Sequence, residues 1–186
     1  MPVSVKTKHG VLVMSILVTT AVLLSPPSRS VAQKPPNADV AAELDTAKAE
    51  AAELARDADE MTSLIQSDVS WESHADALTR IKEHVNNMGK IVAKLQEERG
   101  QASPWQQQAI DRMIPMLKEI AANTTRAIEH LNANHTRPVS GNYKDYLDQN
   151  PDTSLQLADM ISSFEQYGRT RTKLEQLQDK LELPSS

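Results

Sequence analysis

Apolar residues recur along this chain with the spacing of helices packed side by side. From Val40 they fall at Leu44, Ala47, Ala51, Leu54, Ala58, Met61 and Ile65, in alternating steps of four and three, the heptad rhythm of a helix whose apolar stripe packs at a shallow angle against neighbours. Asn37 is placed to cap its start, "QSDVS" (66–70) ends it, and three of its seam positions are alanine, which permits close approach. After Ser70 a second stripe runs through Trp71, Ala75, Leu78, Ile81, Val85, Met88, Val92 and Leu95 as far as Gly100, where a helix C-terminus favours a left-handed residue. "SPWQ" (103–106) then offers a capping serine, a proline at the first helical position and a glutamine to complete a capping box. The third stripe is Ile110, Met113, Leu117, Ile120, Thr124, Ala127 and Leu131. A fourth helix opens at "NPDTS" (150–154) with Asn150 as its cap, and its seam reads Leu157, Ile161, Phe164, Gly168, Leu174, Leu177 and Leu181, weakened by Arg171.

The pattern predicts an all-α fold, an antiparallel up-down-up-down four-helix bundle over 38–183 with helices at about 38–66, 71–99, 104–133 and 151–182. Trp71 and Trp105 stand thirty-four residues apart, the repeat length of tetratricopeptide hairpins. One unbroken stripe fills most of that interval, however, so it measures a long helix plus a short loop, and the two rings belong at opposite ends of the molecule. The connection "NANHTRPVSGNYKDYLDQN" (132–150) is the one long linker, well beyond the usual two to eight residues, with room for a helical turn around 143–147. Few aromatics and an alphabet rich in Ala, Leu, Glu, Gln and Lys agree with helices.

The N-terminus changes the picture of where the chain works. Lys6 and Lys8 precede an apolar run from Val11 to Leu24, and Ser30 and Ala32 fit a cleavage site, so 1–32 reads as a cleaved secretory signal peptide followed by a flexible segment, 33–37. The run is too short to span a bilayer, and the expected location is extracytoplasmic, the periplasm of a Gram-negative bacterium or the exterior, with no stable membrane anchor after cleavage. Removing residues 1–32 takes away Lys6, Lys8 and Arg29 and no acid, so the net charge of −5 becomes −8. That charge disfavours nucleic acid as a partner; only "RTRTK" (169–173) is locally basic. The absence of cysteine excludes disulfides, thiolate metal sites and thiol nucleophiles.

Candidate chemistry is sparse. Reflecting the chain through its loops sets Met88, Gly89, Met113, Pro115, Met116 and Gly168 at one mid-bundle level, with Gly168 near Leu117 and a kink expected at Pro115. These six are the candidate lining of a small apolar cavity; the competing reading is that methionines fill gaps around a bent helix. A thioether copper(I) site would draw on Met88, Met113 and Met116; a haem would use Met88 and Met113, but no histidine joins them. At the other end His74, His130 and Asp152 share a level without a metal-binding spacing, so no metal or other cofactor is assigned. Carboxylate runs such as "DADE" (57–60) and "QEER" (96–99) are assigned to solvent faces, and no catalytic motif is present.

The resulting expectation is a non-enzymatic secreted or periplasmic protein acting by protein–protein interaction, as a scaffold, adaptor or holding factor. Its candidate surface is Trp71, His130, Tyr143 and Tyr146 on the long connection, unless the tyrosines merely cap the core. The alternative is a carrier or sensor of a small apolar ligand or metal held within the bundle. Seams of this period can also close a homodimer of hairpins.

Overall fold

Asn37 caps the first helix: its Oδ1 accepts from the N–H groups of Asp39 and Val40 at 2.9 and 3.2 Å, which satisfies two of the donors a helix start leaves free. The computed structural model describes residues 34–67 and 69–182. The expected signal peptide lies outside the described residues. Helix α1 spans Ala38–Ile65, α2 Trp71–Glu98, α3 Pro104–Ala133, α4 Tyr143–Leu147 and α5 Asn150–Lys180. There is no strand among the described residues, and the protein is all-α with four long helices. No described helix is long and apolar enough to cross a membrane.

The heptad stripes turn inward. All eight apolar positions of α1 from Val40 to Ile65 are buried, as are Leu78, Ile81, Met88, Val92 and Leu95 of α2 and Ile110, Met113, Leu117, Ile120, Ala127 and Leu131 of α3. Helix α1 packs on α2 and α5, α3 packs on α2 and α5, and the short α4 packs chiefly on α3. Along the α1–α2 seam ion pairs match Glu43 with Lys94 and Glu60 with Arg80, and Glu50 meets the His84 ring at 2.8 Å. Between α2 and α3, Arg99 grips Asp111 at one end through two N–H groups, at 2.7 and 2.8 Å, and Trp71 Nε1 donates to the Leu131 carbonyl at the other, at 3.0 Å.

Gln106 ties three chain segments together at one end. Its Oε1 accepts from the backbone N–H of Ser103 and of Asn37, both at 2.9 Å, while its Nε2 donates to the Asn37 carbonyl at 2.7 Å. The side chain is fully buried, and its amide finds its partners in these backbone groups. Of the stretch 33–37, expected to be flexible, residue 33 lies outside the described residues; Asn37 is held by Gln106, and Lys34 Nζ reaches the Gly100 carbonyl at 3.0 Å.

Several local expectations are corrected. Gly100 does not adopt a left-handed conformation; α2 tightens into a 3-10 turn over Arg99–Gln101, and among the described residues the positive-φ glycine is Gly141 in the long connection. Asn150 is the first residue of α5 rather than its cap, and its buried side chain donates to Thr124 Oγ1 at 3.2 Å. Asp57 is buried, not solvated: at the small Ala58 layer its carboxylate meets Arg80 Nε and His84 Nε2, each at 3.4 Å. Pro115, where a kink is expected, is exposed and has helix on both sides of it, a continuity that neither supplies nor removes a bend.

The largest correction concerns α5. Leu157, Ile161 and Gly168 are buried as the seam requires, but beyond Gly168 no α5 residue is buried. The cause is register. A Cβ on Gly168 would lie 2.4 Å from Cζ2 of Trp105, and Trp105 is the second residue of α3, so α5 has outrun α3 at this point. Reflection through the long connection placed Gly168 near Leu117; the observed contact is twelve residues away along α3, about three helical turns. The connection does not simply reverse the chain. It spends α4 on the end of α3, and α5 starts only at the level of Thr124.

Two glycine substitutions separate space from propensity. Gly168→Ala is expected to destabilise the protein by about 1–3 kcal/mol, since the overpacking against a rigid indole exceeds the helix-propensity gain. Gly89→Ala meets nothing within 4 Å and is expected to stabilise by about 0.5–1 kcal/mol. Urea unfolding followed by circular dichroism reads both signs.

Candidate functional site

The contact between Trp105 and Gly168 also creates a groove. The first turns of α3 contribute Pro104, Trp105, Gln108 and Arg112; α5 contributes Met160, Ser163, Phe164, Tyr167 and Arg171, around a volume of about 480 Å³. Three of the chain's six aromatic residues (two Trp, three Tyr and one Phe) line it. The Arg112 guanidinium sits over the Phe164 ring, 5.5 Å from its centre, a cation–π contact that holds the charge at the groove wall. Arg112 has no carboxylate partner among the described residues, whereas Arg171 Nε donates to Glu175 one turn on at 3.0 Å. Trp105 is buried and its Nε1 has no acceptor among the described residues. The site is therefore an apolar, aromatic floor with two guanidinium groups.

The floor continues as a row of exposed leucines. Tyr167, Leu174, Leu177 and Leu181 are 54, 53, 47 and 61 % exposed. Met160, Phe164, Tyr167, Arg171, Leu174 and Leu181 follow one another at heptad steps, one stripe around the helix from the core positions Leu157, Ile161 and Gly168. Helix α5 thus carries two apolar stripes, and among the described residues the outer one has no helix upon it.

At the opposite end the residues expected to form a surface are partly internal. Tyr143 is 0 % exposed; its ring stacks on His130 at 5.3 Å and meets the edge of His74 at 5.6 Å, with Tyr146 also against His130 at 6.4 Å. Trp71 is half-buried, stacks on His135 at 4.3 Å and spends its N–H on Leu131. His130, Tyr143 and Tyr146 do come together, but as the plug with which α4 seals the bundle, which withdraws Tyr143 from any contact surface. Burial holds the His74 imidazole below its ordinary pKa and pushes the Tyr143 phenol up; the phenol Oη lies 3.5 Å from His74 Nδ1, so both groups are neutral partners inside the plug. The Tyr143 ring contacts both His74 and His130, and among the described residues no three His, Asp or Glu side chains are arranged to hold a metal.

The six mid-bundle residues do not share a space. Met88 and Met113 are fully buried in the core and Met116 is half-buried, but Gly89 and Pro115 are exposed and Gly168 lies against Trp105. Equal depth along a bundle does not mean a common face: Gly89 follows Met88 by one position and is turned about 100° away from it. The sequence marked Trp105 only as the opening of a helix and did not single out Gln108, Arg112, Met160 or Tyr167; the available signal was Arg171 inside an otherwise apolar heptad row. No family model, curated protein or solved structure matches the chain.

The plug makes two expectations. Tyr143→Ala should cost about 3–5 kcal/mol, as large aromatic truncations in cores do. The lowered pKa of His74 means that the unfolded chain, with an ordinary imidazole near 6.5, binds the proton more readily. This contribution to stability is therefore complete above about pH 6.5 and is lost as the pH falls toward the folded-state value. Urea midpoints between pH 8 and 5 should drop more for the wild type than for His74→Leu; parallel curves would refute the assignment.

Proposed function

We propose that this protein is a non-enzymatic, extracytoplasmic binding protein that acts by protein–protein interaction through the outer face of α5. The four long helices form an antiparallel up-down-up-down bundle in this reading, supported by pairs whose numbers fall on one helix as they rise on its neighbour: Glu43, Glu50 and Glu60 with Lys94, His84 and Arg80. The secretory character rests on the N-terminal sequence, Lys6 and Lys8 ahead of the apolar run from Val11 to Leu24.

A single observation carries the functional reading. A helix whose core stripe ends at Gly168 continues for three turns with Leu174, Leu177 and Leu181 in solvent, directly prolonging an aromatic groove. Single exposed apolar residues are ordinary, but a contiguous apolar row joined to a groove marks an interaction site. The surface is thus moved from the Tyr143 end to the α3–α5 end. Carriage of a small ligand or metal between Met88 and Met113 is not favoured, because both side chains are fully buried in the hydrophobic core.

A photo-crosslinking residue placed at Leu174 in the full-length protein, expressed in its own compartment, is expected to give one discrete protein adduct. The same residue at Ala52, exposed on α1, should give none. Equal labelling from both positions, or none from Leu174, defeats this reading.

A further inference from the structure

We infer that the occupant of the α3–α5 groove and its leucine row is an amphipathic helix with acidic flanks, contributed by another protein. This rests on the reading that the outer face of α5 is a protein-binding surface, and adds the partner's chemistry. Length is the first reason. From Met160 to Leu181 the outer stripe runs for about 30 Å along a straight helix, whereas a small molecule filling the 480 Å³ groove ends near Arg171 and leaves the leucines uncovered. Backbone chemistry is the second. The peptide groups of α5 are spent within the helix, so an extended segment laid on it would find no partners for its own N–H and C=O groups, while a helix brings its own satisfied. Heptad steps on α5 are the surface into which a second helix sets its knobs.

Charge selects the partner. In a chain of net charge −5, the one basic run, "RTRTK" (169–173), lies on this helix. Arg112, with no carboxylate of its own among the described residues, faces the same groove from α3. Carboxylates flanking the partner's apolar seam would meet these guanidinium groups at the groove edge, where complementary charge decides which partner binds more than how tightly. A second copy of this chain is a poor occupant. Its acidic, alanine-rich helix is α1, and the apolar face of α1, including Leu44, Leu54 and Met61, is already fully buried.

The test uses the full chain carrying Trp71→Phe, so that Trp105 is the sole indole and reports from the groove floor. Two synthetic helical peptides of about three heptads share a leucine seam, one flanked by Glu and the other by Lys. The Glu peptide is expected to bind and shift Trp105 fluorescence, with the Lys peptide weaker by about ten-fold or more. Arg112→Glu with Arg171→Glu should reverse the preference, and Leu174→Asp should weaken both peptides while circular dichroism stays unchanged. The inference is overturned if the peptides bind equally or not at all, or if dodecanoate below its micellar concentration saturates the signal and the Glu peptide does not. A dimer of the protein in sedimentation equilibrium that Leu174→Asp dissolves would assign the face to a second copy instead. Charge-blind peptide binding together with a discrete adduct from Leu174 sinks this inference alone; absence of the adduct removes the broader reading.

Discussion

The Trp105 indole lies where a side chain at position 168 would be. Any residue larger than glycine at that place would push the start of α3 away from α5, because a Cβ would fall 2.4 to 3.0 Å from three atoms of the ring, distances that real contacts do not tolerate. With glycine there, the ring lies directly against the helix backbone and α3 begins beside α5 rather than above it. The next residue of α3, Gln106, binds the backbone of Asn37 in both directions, which brings the start of α1 to the same place. Three helices are therefore registered at one end by two adjacent side chains, an aromatic that excludes and an amide that pairs. The groove lined by Arg112 and Phe164 is the space left beside that junction.

The other end sets how far α5 reaches. The buried ring of Tyr143, sandwiched between His130 and His74, commits α4 to cover the last two turns of α3. Asn150 then starts α5 at Thr124, where its amide hydrogen donates to a hydroxyl that itself donates to the Ile120 carbonyl at 2.8 Å. A helix begun that far along α3 and continued to Lys180 must run past the start of α3. The exposed leucines are thus a consequence of the plug: a device at one end of the molecule, built from histidines and a tyrosine, determines the apolar overhang at the other.

This explains what the sequence could and could not reveal. The stripes from Val40 to Ile65 and from Leu78 to Leu95 were readable because helical period alone decides which face is apolar. The caps at Asn37 and Ser70 were readable because their chemistry is local. Gly100 and Asn150 misled because the same residues serve other ends: glycine is accepted in a 3-10 turn, and an asparagine at a helix start can turn inward when a buried hydroxyl awaits it. Asp57 was hidden by its place in an acidic run, although it sits one position before a buried alanine and opposite two basic side chains of α2. Register between helices was beyond reach, since reflection through a loop assumes that the loop only reverses direction. The α4 plug broke that assumption, and every residue pair inferred across the connection moved with it.

Arg171 shows how a local anomaly can carry the missing information. A guanidinium at a core heptad position would need burial of charge without a partner, which proteins rarely accept. Its presence between Tyr167 and Leu174 therefore argues that the row from Met160 to Leu181 was never the inner seam of α5, and the half-exposed Arg171 with its Glu175 partner agrees. Once Arg171 is read as a surface group, the core seam shortens to Leu157, Ile161 and Gly168, and the remaining leucines require a different account. An isolated protein gains nothing from holding Leu174, Leu177 and Leu181 in water, and a purely structural helix would end near the start of α3 or carry polar residues beyond it. In the reading proposed above, a row that is apolar, heptad-spaced and edged with arginine is half of an interface, stabilised when an apolar stripe with acidic flanks covers it.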